Sequence, residues 1–442
     1  MSLKRNYPGE LRTVLLVSLL ACTSQFSLAD ATGGIVESVG APQVRPALSK
    51  FQVDTLIPDR GPFMFPAPYN TEGARLTNAG DCGGSDCVIS VGYSYWNNIN
   101  NHIGFDTMLI FVGMDRLRGG QGPTLLEFNK VTGQVGNLGP LFDTESPYSW
   151  ASGEGWYFSP TMPTKLYINN GKNILRYDVM SQQFETVFNG NAYSENFYLW
   201  QMHTSGDDQV HSASVRENGS GRALGCMVYE EGRDFLHFFS VTSSFDECQI
   251  DKSGRWLVIK ENVDGRDGED NRIIDLTNGS ERVLLDHEGA GGHSDMGHGY
   301  MIAADNWSSK PNAQKLWKFD ADTLTGIDVY YNPFPGAGSL SHVSHVNAKP
   351  GVPAEQQYAC GSSTSRGNAP HSNEIICFGM NDSGNVLVVA PVMTNPAVGG
   401  RSNYGISPKG NLDVTGEYFI WTSNMGGNRV DLFLVKVPSQ LL

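Results

Sequence analysis

The chain is written in short runs in which apolar and polar residues alternate, the period of half-buried β-strands. A two-part phrase recurs: an alternating strand ending in Asp or Asn, then a turn closing on Gly, Ser or Thr. Copies are Leu126-Glu-Phe128-Asn129 with Gly133, Leu175-Arg-Tyr177-Asp178 with Ser181, and Ile273-Ile274-Asp275 with Gly279. Leu316-Trp-Lys-Phe319-Asp320 with Gly326 and Ile375-Ile-Cys-Phe378 with Gly384 continue the series. Leu236-His-Phe-Phe239-Ser240 and Asp431-Leu-Phe-Leu-Val-Lys-Val437 are weaker copies. Separations of about 35 to about 60 residues suit four-stranded propeller blades with loops of unequal length.

A second phrase opens several units. Asp251-Lys-Ser-Gly254-Arg-Trp256 and Asp413-Val-Thr-Gly416-Glu-Tyr418 each place a tight turn before a half-buried strand. Glycine supplies the positive φ such a turn needs. The pattern predicts an all-β, seven-bladed β-propeller, with eight blades as the next reading and a two-domain β-sandwich third. Blades are expected at 92–142, 152–190, 199–245, 246–287, 291–334, 340–395 and 404–440. Residues 30–91 precede them, with 54–91 as an N-terminal strap or an extra strand completing the ring. The propeller occupies 92–442, and no stretch beyond the N-terminus shows helical periodicity.

The N-terminus reads as an export signal over 1–29. Lys4, Arg5 and Arg12 precede an apolar run from Thr13 to Ala21, too short to span a bilayer. Two processing sites compete: Leu19-Leu20-Ala21-Cys22, a lipobox that would make Cys22 a lipidated N-terminus, and Ser27-Leu28-Ala29. The expected location is therefore the periplasm, the outer membrane as a lipoprotein, or the medium. The six cysteines after Cys22 fall as local pairs, Cys82/Cys87, Cys226/Cys248 and Cys360/Cys377, and an even count in an exported chain suggests disulfides.

Of the 442 residues 40% are hydrophobic but only 17% charged, with 51 glycines and a formal charge of −15. That balance argues against nucleic acid, whose phosphates need Lys/Arg fields. Membrane contact is expected only through the lipid anchor, and the chain reads as a monomer. No P-loop, dinucleotide fingerprint, nucleophile elbow or free mature cysteine is present, so no nucleotide cofactor is expected.

Residues just before the inner strands of a propeller converge at one mouth. His102, His203, His293, His342 and His345 lie near the predicted blade openings, with His211 close behind. Gly291-Gly-His293-Ser-Asp295 and His342-Val-Ser-His345 offer His293, His342 and His345 as ligands for one divalent metal such as Zn, Mn or Ca. Trp200, His203, His211 and Arg216 combine an aromatic platform, a titratable base and a fixed cation. Tyr95-Trp96-Asn97-Asn98-Ile-Asn100-Asn101-His102 is dense in aromatics and amides, and Trp96, Asn98, Asn101 and His102 suit sugar hydroxyls.

The turn phrases, and the terminal unit Tyr418 to Val437, resemble TolB-like propellers. An exported propeller with mouth histidines also resembles two polysaccharide-lyase groups, the oligogalacturonate lyases and the propeller ulvan lyases. Where the former carry Gln-x-x-His-x-His, this chain has His342-Val-Ser-His345. The resemblance implies β-elimination on an acidic polysaccharide or oligosaccharide. A cation neutralises the uronate carboxylate, a base takes the C5 proton and an acid protonates the leaving oxygen. It assigns Arg216, or a metal on His293, His342 and His345, as neutraliser, His203 or His211 as base and Tyr95 as acid. A non-catalytic periplasmic binding or assembly propeller, TolB-like in role, and a metal-assisted hydrolase or lactonase stand as the other expected functions.

Overall fold

The computed structural model describes residues 32–442 except 90, 92, 149–155, 194–195, 267, 306–309, 311–312, 338–339, 341, 364, 366–368 and 399–402. The expected signal segment and its Cys22 lie outside the described residues. Seven antiparallel sheets form the seven blades of a propeller. Blade one is Ile99–Asn100, Thr107–Met114, Gly122–Asn129 and Val135–Pro140. Blades two to five run over Trp156–Asn189, Phe197–Phe239, Phe245–Leu284 and Ser294–Tyr330, four strands each.

The last two blades borrow strands from the N-terminus. Blade six joins Val343–Ser344, Tyr358–Ser362, Glu374–Gly379 and Asn385–Pro391 to an outer strand, Ile35–Ser38. Blade seven joins Asn411–Leu412, Tyr418–Ser423 and Asp431–Lys436 to the hairpin Gly61–Met64/Glu72–Arg75. Its closing pair is buried: Arg75 Nη2 lies 2.7 Å from Asp431 Oδ2. Closing the ring with strands from both chain ends leaves no blade incomplete, and so few open edges.

Each blade crosses from one end of the channel to the other and back. The strand-opening turns behave as their sequences require. Gly254 and Gly416 take φ of +73° and +80°, while the Asp251 carboxylate accepts from the amides of Arg255 and Trp256 at 3.0 and 2.9 Å. The core lies between blades, where faces rich in Val, Ile, Phe and Trp meet. Three disulfides form as the local pairs expected, Cys82–Cys87, Cys226–Cys248 and Cys360–Cys377. The second ties blade three to blade four. These bonds suit an oxidising compartment, and among the described residues no helix is long and apolar enough to cross a membrane.

Candidate functional site at the channel mouth

One segment, Tyr93–Asn98, touches every blade. Asn98 O accepts from Phe111 N of blade one at 2.9 Å, and Asn97 Nδ2 donates to Phe158 O of blade two at 2.8 Å. The Tyr95 ring meets His203 of blade three at 5.1 Å, and its hydroxyl donates to Glu247 Oε2 of blade four at 3.0 Å. Tyr93 lies 5.9 Å from His293, at the opening of blade five, and 5.2 Å from His342, at the opening of blade six. Asn411 of blade seven donates to Asn98 Oδ1 at 3.3 Å. The segment thus lies across the channel axis, and the side chains it gathers form the mouth.

Two stacked rings are the middle of this group: Tyr93 and Tyr95 are 5.4 Å apart and within 1° of parallel. His293 and His342 pack together at 4.4 Å between centres. The Lys409 ammonium stands 5.7 Å from the Tyr93 ring centre, on a buried residue whose φ of +33° is unusual outside glycine. Lys260 Nζ donates to Glu247 Oε1 at 2.8 Å and to Gly292 O at 2.7 Å, so it links blade four to the residue before His293. His203 Nδ1 shares a proton with the Tyr157 hydroxyl at 3.0 Å.

Burial and neighbouring charge set the protonation states. Desolvation pulls His203 down to about 4, against the partial opposition of Glu247. It pulls His342 down to about 2, helped by His293 and Lys409. His293 is lowered by burial and then by Lys260. All three are therefore neutral imidazoles at neutral pH, able to accept a proton or bind through a ring nitrogen. Burial alone would raise Glu247, but Lys260, His203 and the Tyr95 hydroxyl outweigh it and bring it down to about 2. Tyr95 is pushed well above its ordinary value by burial and by Glu247, and stays protonated.

The other expected site residues lie elsewhere. His345 opens the far end of blade six, where Nε2 meets the Tyr300 hydroxyl at 2.7 Å and Nδ1 the Tyr358 carbonyl at 3.0 Å. It does not join His293 and His342. Among the described residues the group of three His, Cys, Asp or Glu whose ligand atoms converge within 4.8 Å is Asp264, Asp286 and His287, on blade four. His211 also faces the far end, bonded to Thr204 at 3.1 Å and Glu231 at 3.4 Å. Arg216 is fixed by the carbonyls of Gly221 and Asp246 at 3.4 and 3.1 Å and covers Phe245.

The amides expected to meet sugar are turned to internal partners. Asn98 donates to Phe111 O at 3.2 Å, and Asn101 donates to Asp413 and to Thr415 Oγ1 at 3.1 Å. His102 is bonded to Asn100 Oδ1 at 2.5 Å at the far end. Trp96 is buried edge-on against Tyr93, and Trp200 is half-buried on the inner strand of blade three, beside a bulge with Gln201 at φ +48°. Lys409, Glu247, Lys260 and Tyr157 were not foreseen. A charged residue inside an apolar strand, Trp-Leu-Val-Ile-Lys-Glu, was the available signal for Lys260, whereas Glu247, in the half-polar Phe-Asp-Glu-Cys-Gln-Ile, carried none. Lys409 sits just before an inner strand, like His293, and a search for mouth cations would have found it.

No protein family and no curated protein matches the sequence. Solved structures do. An oligogalacturonate lyase in complex with manganese superposes with a TM-score of 0.60 at 12% identity, over 90% of this chain and 99% of that one. Oligogalacturonate lyase from Vibrio parahaemolyticus gives 0.59 at 11% identity, over 92% and 100%. TolB from Acinetobacter baumannii gives 0.38 at 10%, over 63% of each chain. At these identities the likeness is one of fold, and the chain is a seven-bladed β-propeller similar to oligogalacturonate lyase along almost its whole described length.

Proposed function

We propose that this chain is an exported propeller enzyme that cleaves an acidic polysaccharide by β-elimination at a uronate. The observation carrying this is the convergence, on one segment touching all seven blades, of neutral imidazoles, a protonated tyrosine and a buried ammonium. β-Elimination needs those three kinds of group: a base for the C5 proton, an acid for the leaving oxygen and a cation for the carboxylate that takes up charge. The likeness to oligogalacturonate lyases adds the substrate class.

His203 is the base. With Nδ1–H donating to the Tyr157 oxygen, Nε2 carries the lone pair that takes the C5 proton. Tyr95 is the acid, and its hydroxyl leaves Glu247 to protonate the departing oxygen. Lys409 takes the neutralising role, because Arg216 is held by backbone carbonyls away from these rings. A divalent metal at the mouth fits less well. Among the described residues two imidazoles face each other there without a third ligand atom converging on them, beside two ammonium groups that repel a cation, so no step is routed through one.

The test is ultraviolet absorbance of the conjugated, unsaturated uronate during incubation with pectin, alginate, ulvan and glucuronans. A rise on one substrate, reduced by about 10²- to 10⁴-fold in His203→Ala, is expected. A flat trace across the panel would sink the lyase. A second reading, a non-catalytic binding propeller, is favoured by the way Tyr95, Glu247 and Lys260 already satisfy one another. It predicts oligosaccharide binding without turnover.

A further inference from the structure

A second group of metal-ligating side chains converges on the rim of blade four. Asp264 lies in the loop after Trp256–Glu261, and Asp286 and His287 form the single turn after Ser280–Leu284. Their ligand atoms all lie within 4.8 Å of one another. That spread is slightly wider than one divalent ion at ~2.0–2.2 Å ligand distances requires, so small side-chain rotations would bring all three onto it.

The Asp286 carboxylate is what points to a ligand. Its side chain is only 8% exposed, it accepts no hydrogen bond among the described residues, and the His287 ring nitrogen Nδ1 stands 3.5 Å away. Buried carboxylates are ordinarily saturated with donors. Neighbouring Asp270, the first residue of strand Asp270–Asp275, obeys that rule: Oδ1 accepts from Asp286 N at 2.8 Å and Oδ2 from Val263 N and Asp264 N at 2.7 and 3.3 Å. Gly268, at φ +121°, lies so close over Asp286 that a Cβ would strike the carboxylate. The loop therefore wraps an acid that it leaves without a donor. Arg266 partly covers the group, 3.3 Å from His287 Nε2 and 3.5 Å from Asp264 Oδ2, but its side chain is 67% exposed and free to swing away.

We infer that Asp264, Asp286 and His287 bind one divalent cation. Two carboxylates with an imidazole select Mn²⁺ or Zn²⁺ over the all-oxygen preferences of Ca²⁺ and Mg²⁺. The ion fastens the 262–270 loop to the 286–288 turn. From that turn the chain runs five residues to His293, and Asn271 grips Gly291 on the way through two hydrogen bonds of 3.1 and 2.8 Å. The cation thus braces the segment that carries His293 into the mouth, whatever reaction the mouth performs.

Full-length mature protein, stripped with chelator and dialysed, is titrated with Mn²⁺ by electron paramagnetic resonance and with Zn²⁺ by calorimetry. One site per chain is expected. Asp286→Asn and His287→Gln should each weaken it by at least about tenfold, the low end of what even an outer partner of a metal costs. His342→Ala should leave it intact. Since Asp286 is buried, the exposed His287→Gln variant, with circular dichroism to confirm its fold, keeps the test decisive. Arg266→Ala should tighten Mn²⁺ about two- to fivefold by removing an exposed competing charge. Absence of binding, affinity unchanged in His287→Gln, or a site lost in His342→Ala would overturn the assignment.

Discussion

The two ends of the channel are both rich in histidine, lysine and carboxylate, yet they use these residues in opposite ways. At the far end most of these polar atoms are paired, with Asn347 Oδ1 and Asp208 Oδ1 as exceptions. Lys252 donates to the carbonyls of Met296 and His345 and to Asp295 Oδ1 at 3.3 Å, and Asp295 Oδ2 accepts from His345 N at 2.5 Å. His345 has both ring nitrogens engaged. At the mouth the rings meet rings, and His342 Nδ1 is buried without a hydrogen-bond partner. A histidine whose nitrogens are spent on backbone carbonyls is a strut, whereas one stacked among aromatics with a free nitrogen can still do chemistry. Position near the axis does not separate the two, but hydrogen-bond bookkeeping does.

The hardest test of this contrast is at the far end. Lys252 joins blade four to blades five and six through a largely buried ion pair. Lys252→Met leaves Asp295 uncompensated and should cost about 3–5 kcal/mol of unfolding free energy by denaturant titration. His342→Phe at the mouth keeps ring and volume, and should change stability by less than about 1.5 kcal/mol. Comparable losses in the two variants would mean that the mouth is as structural as the far end.

The same contrast explains how far the sequence could be read. Blade number and disulfide pairing were legible because they rest on local signals: period-two strands, an Asp-x-x-Gly turn before each of two strands, and cysteines paired close together in the chain. The site was legible only in part. His293, His342, His203 and Tyr95 were found, while His211, His345 and His102 were grouped with them because proximity to an inner strand was the only criterion. Which end of that strand a residue occupies depends on chain direction: His293 and His342 precede their inner strands and reach the mouth, His345 and His102 follow theirs and reach the far end, and His203, within its strand, joins the mouth group because Tyr95 lies across the channel to meet it. Asn98 and Asn101 read as sugar ligands because an amide's partners, Phe111 O and Asp413, are set by blade packing that no local spacing encodes.

Acid should reveal both ends at once and then tell them apart. His203 is lowered from 6.5 to about 4, and His345 from 6.5 to about 3, each chiefly by burial. A depressed folded-state value means the unfolded chain binds the proton more readily. The stability these residues lend is thus complete above pH 6.5 and lost as pH falls through about 4 and then about 3, by roughly 3 kcal/mol for His203. Melting temperature against pH should slope downward across that window, and His203→Gln and His345→Gln should each flatten it. Their activities should differ: His345→Gln keeps turnover, and His203→Gln loses it. With His203 as base, the acid limb of kcat/KM falls near pH 4. A limb near pH 6.5 would place the base outside this buried cluster.

The smallest effect separates two lysines. Lys409 stands over Tyr93 at the mouth, whereas Lys130, at the far end, donates to Asn101 Oδ1 at 2.9 Å and to His102 O at 3.4 Å. If Lys409 meets the uronate carboxylate, Lys409→Met should weaken binding of a uronate oligosaccharide by about tenfold, the scale of one charge-assisted contact. It should also flatten the dependence of that binding on salt, since the screened attraction has been removed. Lys130→Met should change neither, because its ammonium lies at the far end, away from the proposed uronate site. Calorimetric titrations of the two variants at low and high salt make the comparison directly. Equal weakening by both would point to general charge attraction rather than a defined carboxylate site, and the mouth would then owe its affinity to the Tyr93–Tyr95 stack.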